Sequence, residues 1–321
     1  MELIYFFAIV LLIILICILY YSICCIEFHL YLRYIYFDNI KSYDKKYRNI
    51  CRVKTKDHRK VIISMTTIPK RINKIKATLM SLLNQSRRVD KIYINIPYKT
   101  LKGETYKIPS WLKNLRNVNI RRIKKDWGPS SKLLPSLIRE DHDTIIIVVD
   151  DDVIYGSKIV ETYVNSFYKR GCKDVITNFG SRVTNKLHLD DSEGFVPPPH
   201  LRIFSKPGYS DVVYGHHSFL VTPKMFSKTK EGDFKNTRIF EYDRAPDNCR
   251  WVDDIWFSGW LLYNHIKIWS IGFVNRTVAI SNILTTDTPS LCHNQNVNDK
   301  NNNTCIKWFR QRKEVNYITF K

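Results

Sequence analysis

The chain opens on a long stretch without a charged side chain. Residues 3–26 read LIYFFAIVLLIILICILYYSICCI, bounded by Glu2 and Glu27. At about 1.5 Å of helical rise per residue this segment reaches roughly 36 Å, enough to cross a hydrocarbon layer with some tilt. A cleaved leader would need a basic start, a shorter apolar stretch and a small-residue cleavage site, so the pattern predicts an uncleaved anchor over residues 1–27. Tyr20, Tyr21, Tyr31, Tyr34 and Tyr36 follow, as expected of rings that favour the headgroup region. Residues 28–60 then read as a stem or linker, most polar and basic from about position 40.

Beyond Lys60 the periodicity changes. Val61–Met65 (VIISM) predicts a buried strand closed by Thr66, Thr67, Ile68 and Pro69. Ile72, Ile75, Leu79, Leu82 and Leu83 recur at helical spacing. Lys91–Pro97 and Val118–Ile123 are further strands, with Pro109, Ser110 and Trp111 marking a turn in the insert between them. Ser130 or Ser131 can cap a helix carrying Leu133, Leu134, Leu137 and Ile138. Residues 144–149 (TIIIVV) show no alternation, which predicts a strand covered on both faces at the centre of a parallel sheet. Alternating strands and helices indicate an α/β domain. Later segments are weaker: a strand at 175–179, a loop at 190–200, a returning strand at 211–221 and a helix at 251–265. The catalytic domain is expected over 61–286, and residues 287–321 read as an irregular, Asn-rich tail.

Composition removes several classes. Hydrophobic residues are 44% and charged residues 25% of 321, too balanced for a disordered chain. Eight scattered cysteines without a CxxC pair exclude a disulfide scaffold and a zinc ribbon; Cys292 and Cys305 would close a tail loop if the domain faces an oxidising lumen. The net charge is +21, from 51 basic and 30 acidic side chains. Arg33, Lys41, Lys45, Lys46 and Arg48 after the span favour a cytosolic domain, despite Asp38 and Asp44. The sequons at Asn84, Asn275 and Asn302 favour the opposite face, so both orientations stay open.

The strongest chemical feature is the triplet Asp150, Asp151 and Asp152 directly after the TIIIVV strand. Ligands of open α/β sheets sit beyond the carboxyl ends of strands. Three adjacent carboxylates repel unless solvent or a cation neutralises them, and Mg²⁺ or Mn²⁺ takes one or two carboxylates plus diphosphate oxygens. An acidic turn capping the next helix is the alternative. A second acidic pair, Asp253 and Asp254, lies among Trp251, Ile255, Trp256, Trp260 and Leu261. Carboxylates in such surroundings could serve as a base, hold a sugar hydroxyl or cap a helix start. Lys132 stands at a helix start suited to anions, and Arg71 follows the first strand in the same way. His216 and His217, adjacent on an expected strand, point to opposite faces and do not suit one shared ion.

Four blocks together resemble glycosyltransferases of the GT-A fold, the class with a DxD motif. VIISMTTIPKRI is similar to the first strand and nucleotide-base loop, and DWGPSSKLLPSL to the segment before the DxD strand in uncharacterised glycosyltransferase-like proteins. IIIVVDDDVIY resembles the DxD strand, and DNCRWVDDIWFSGWLL the late acidic block of exostosin-like enzymes. The resemblance implies an α/β/α three-layer sandwich behind one transmembrane helix, in a Golgi- or ER-type membrane. It implies a nucleotide-diphosphate sugar donor, Mn²⁺ or Mg²⁺, and a glycan, protein or lipid acceptor. Asp152 and Asp150 would hold the metal. Thr66, Thr67, Arg71, Lys132, Asp150 and Asp151 would line the donor, and Asp254 with Asp253 would contact the acceptor or act as base. Two other readings share these residues or this charge: a metal-dependent phosphotransferase, and a non-enzymatic basic protein binding a membrane surface or nucleic acid, although no nucleic-acid motif is present.

Overall fold

In the computed structural model the described residues are 2–25, 28–40, 59–115, 117–183, 189–190, 206–227, 237–272, 280–281, 301–312 and 315. Thirteen strands lie among them: β1 Val61–Met65, β2 Lys91–Pro97, β3 Val118–Ile123, β4 Ile145–Val148, β5 Val153–Ile154, β6 Val175–Thr177, β7 Gly180–Val183, β8 Leu189–Asp190, β9 Gly208–Ser210, β10 Val212–Val213, β11 Phe219–Val221, β12 Ile268–Ser270 and β13 Ile280–Ser281.

Eight of these form one sheet in the order β3-β2-β1-β4-β11-β6-β12-β9. β3, β2, β1 and β4 run parallel to one another, whereas β11 runs antiparallel to both β4 and β6. β4 therefore sits between β1 and β11, with Ile147 beside Ile63 on one side and Leu220 on the other. All four of its residues are buried, the outcome expected from an unbroken Ile/Val run. β3 has exposed and half-buried positions and forms the sheet edge. The fold is mixed α/β with a large, mostly parallel central sheet, as the alternating pattern predicted.

Several expectations change. The segment 211–221 is not one strand: β10 pairs with β7, a 3-10 turn follows at Gly215–His217, and only β11 enters the main sheet. Pro109 to Trp111 leads into a short helix, Ser110–Lys113. Ser130 and Ser131 cap no helix; they lie in a 3-10 segment, Gly128–Lys132, ahead of the helix Leu134–Arg139.

The chain ends differ more. Part of the expected stem, Phe28–Asn39, is a helix, with Phe37 and Tyr34 buried in the domain core. Tyr34 thus belongs to the protein interior and not to a headgroup layer. Lys76 Nζ donates to the Asp38 carbonyl at 2.5 Å, tying this helix to the helix Lys76–Leu83. The Asn-rich tail contains a helix, Asn301–Arg310, with Cys305, Ile306 and Phe309 buried. Cys305 bonds to Cys249 and not to Cys292, which lies outside the described residues. The first helix spans Glu2–Cys25. Among the described residues no helix is long and apolar enough to cross a membrane.

Candidate functional site

The polar floor of the site is built on β1. Ser64, wholly buried, donates to the Lys132 carbonyl at 2.6 Å, shares a hydrogen bond with Ser136 and accepts one from Asn95 Nδ2. These bonds pin the Gly128–Lys132 segment to the sheet and fix the direction of the lysine. Thr66 donates to the Asn95 carbonyl at 2.7 Å, which joins the ends of β1 and β2. Tyr106 donates to the Thr67 carbonyl.

The acidic triplet follows β4, as the sequence predicted, and its members have different surroundings. Side-chain exposure is 25% for Asp150 and 34% for Asp152, against 6% for Asp151. Asp151 accepts from Thr67 Oγ1 at 2.6 Å and pairs with Arg71 at 3.0 Å, while Thr78 donates to its carbonyl. It holds the turn to β1 and to the helix Lys76–Leu83. Asp152 pairs with the same Arg71 nitrogen at 2.8 Å. The Asp150 N–H donates to the Tyr155 hydroxyl, which donates to the Gly215 carbonyl.

The second acidic pair meets the first through Lys132. Its Nζ lies 2.5 Å from Asp150, 2.8 Å from Asp253 and 4.0 Å from Asp254. Both acids sit in the first turn of the helix Asp253–Tyr263, where the helix dipole favours negative charge. Asp254 remains 24% exposed and accepts the Gly215 N–H at 3.0 Å; Asp253 is 10% exposed. A Cβ on Gly215 would stand 2.5 Å from Lys132 Nζ and 2.6 Å from Asp150 Oδ1, so the close approach requires glycine. Behind the pair, Tyr242 stacks on Trp256 and shares a short hydrogen bond with Ser130.

Burial and charge divide these groups. Burial pushes Asp152 up to about 6, with Asp151 and Asp150 adding to the rise. Burial, then the charge of Asp253, raises Asp254 well above the carboxylate range. Asp151 and Asp253 are also raised by burial, against the opposing pull of Arg71 and Lys132 respectively. Burial acts on Asp150 in the same direction, but Lys132 outweighs it and the net shift is downward. Lys132 is held well above its ordinary value: its burial is outweighed by Asp150, Asp253 and Asp254.

Five carboxylates thus gather around Lys132 and Arg71, leaving negative charge in excess. Hard divalent cations suit such oxygen donors. Among the described residues no group of three or more His, Cys, Asp or Glu is placed to hold a metal ion. A cation held by one or two carboxylates and completed by phosphate oxygens and water needs no such cage. Asp150 and Asp152, the more open members of the triplet, fit that role in charge and donor type.

Sequence reasoning named Asp150, Asp151, Asp152, Asp253, Asp254, Lys132, Arg71, Thr66 and Thr67, and the fold brings the acids together with Lys132, Arg71 and Thr67. Thr66 is engaged with β2. Lys132 and Arg71, expected beside a diphosphate, are ion-paired to aspartates. Gly215 and Tyr155 were missed as site residues. The Tyr155 that closes the IIIVVDDDVIY block offered a signal, whereas the close approach at Gly215 depends on the fold. His216 and His217 lie in a 3-10 turn with rings 3.9 Å apart, so the opposite-face expectation for a strand does not apply; the charge of His216 helps to lower Asp150. No family model and no curated protein matches this chain.

Proposed function

We propose that the chain is a membrane-anchored, divalent-metal-dependent glycosyltransferase of GT-A type, moving a sugar from a nucleotide diphosphate to an acceptor hydroxyl. The observation that carries this reading is the convergence of two acidic motifs, 104 residues apart from Asp150 to Asp254, around Lys132 at the end of β4. When bound, a divalent cation supplies charge stabilisation for the departing diphosphate. Asp150 and Asp152 hold it. Lys132 sets the orientation of Asp150, and Arg71 that of Asp152, so neither carboxylate swings freely. Asp254, raised in pKa and partly open, takes the proton that the acceptor hydroxyl loses as it attacks. Asp253 keeps Lys132 in place from the other side. The exposed apolar side chains from Ile4 to Tyr20 favour a membrane contact at this end, although no described helix is long and apolar enough to cross.

Purified full-length protein in detergent, titrated with uridine and guanosine diphosphate sugars, tests this. The expected result is donor hydrolysis or transfer that requires Mn²⁺ or Mg²⁺, is lost in Asp152→Ala, and is impaired in Asp254→Asn with donor binding kept. Phosphoryl transfer without sugar transfer would move the same residues to a phosphotransferase. Salt-sensitive lipid or polynucleotide binding, unchanged in Asp152→Ala and without donor binding, would overturn the enzymatic reading.

A further inference from the structure

The helix Phe28–Asn39 has two unlike faces. Tyr34 and Phe37 are buried in the domain, and the Asp38 carbonyl is held by Lys76. On the opposite face Leu32, Ile35 and Tyr36 are exposed, at 51%, 41% and 46%, with the i, i+3, i+4 spacing that aligns side chains in one stripe. A stem has no reason to fix one face of a helix in the core while presenting an apolar stripe to water. The helix begins three residues after the helix Glu2–Cys25 ends. The side chains of that first helix, Ile4 to Tyr20, form the largest set of exposed apolar groups among the described residues. Apolar surface of this extent marks contact with another phase or molecule.

We propose that the Leu32, Ile35 and Tyr36 face rests on the surface of a phospholipid bilayer, so that the domain is docked on the membrane instead of hanging from a flexible stem. This rests on the membrane-anchor part of the reading above. Continuity with the apolar helix selects lipid as the occupant: the stripe enters the interfacial layer where that helix leaves it. Leu32 and Ile35 supply the apolar contact, and Tyr36 is an amphipathic ring suited to the headgroup level. The docked helix is tied by Lys76 to the helix Lys76–Leu83, whose Thr78 donates to the carbonyl of Asp151. The height and tilt of the acidic turn above the bilayer are thereby fixed.

Full-length protein is reconstituted in phosphatidylcholine vesicles with a photoreactive diazirine amino acid replacing Leu12, Ile35 or Tyr98 in turn, and adducts are identified by mass spectrometry. Tyr98, exposed just after β2 and outside both N-terminal helices, is the control. Phospholipid adducts at 12 and 35, and none above background at 98, are expected. Adducts at 12 with none at 35 would overturn the docking while leaving the anchor intact. No lipid adduct at 12 would overturn the anchor itself, and the docking with it. Cross-links from position 35 to a second chain in place of lipid would assign the stripe to a contact between copies and overturn the proposal.

Discussion

The Gly215 N–H donates to Asp254 Oδ1 at 3.0 Å, and the Cα of the same glycine leaves no room for a side chain beside Lys132 and Asp150. One backbone position thus touches both acidic motifs. Gly215→Ala is expected to keep the fold, because the crowding atoms are the ends of side chains able to shift. Its stability cost should be about 1–3 kcal/mol. Donor turnover should fall on the order of 100-fold, since a displacement near 1 Å misaligns the carboxylates. Thermal melting and turnover measured on the same preparation check the two expectations separately.

Lys132 is the cation on which three acids depend. Lys132→Met keeps much of its volume and removes the charge, and is expected to destabilise the protein by roughly 3–5 kcal/mol near pH 8. Without the lysine, burial is no longer outweighed at Asp150 and its folded-state pKa rises from its lowered position, while that of Asp253 rises further above its unfolded value. The folded state then binds more protons than the unfolded state as pH falls, so the deficit narrows toward pH 5. Urea midpoints at pH 8 and pH 5 measure this. Adding Asp253→Asn to the lysine variant should recover part of the loss at pH 8, because one unpaired charge is gone.

Much of this arrangement was legible in the sequence for a simple reason. A run of Ile and Val with no polar interruption has to be covered on both faces, which marks β4 as a central strand and the acids that follow it as lying at the carboxyl end of the sheet. The meeting of Asp150 with Asp253 was not legible. It depends on the antiparallel return of β11 and on the 3-10 turn before it, which bring Gly215 against both motifs. Strands of two or three residues, such as β10 and β12, are too short to show a period. The tail helix was hidden by its Asn-rich first turn, and it owes its position to a bond with a cysteine 56 residues earlier. Helical spacing in residues 28–39 was obscured because its apolar positions divide between two faces, one in the core and one exposed.

Asp152 titrates at about 6, above its ordinary 3.8, because burial and the neighbouring aspartates disfavour its charge. Between these two values the folded state binds the proton more tightly, so this group's contribution to stability falls as pH rises from 4 and is most unfavourable above 6. Asp152→Asn should therefore raise the melting temperature above pH 7 by a few degrees, with the gain vanishing toward pH 4. Mn²⁺ at pH 7.5 should raise the melting temperature of the unmodified protein and leave the variant nearly unchanged, if Asp152 is a ligand. Scanning calorimetry across this pH range, with and without the ion, checks both statements.

Cys249 and Cys305 join the chain four residues before Asp253 to the helix Asn301–Arg310. That helix places Trp308 in a stack with Trp256, and Phe309 where a side chain on Gly259 would have to lie. The bond closes a separation of 56 residues, for which the loop-entropy relation gives about 4 kcal/mol of stabilisation. Cys305→Ser with Cys249→Ser is expected to lower the urea midpoint by a corresponding amount. The helix bearing Asp253 and Asp254 should loosen before the sheet unfolds, because the tail helix packs against it. Hydrogen exchange should show faster labelling across Asp253–Tyr263 than across β4 in the variant. A disulfide of this kind persists in an oxidising compartment, which places it with the sequons and against the flanking basic residues on the question of which side the domain faces. Alkylation of the protein isolated from intact cells, before and after reduction, decides that: protection of both cysteines until reduction is the result expected for a lumenal or external domain.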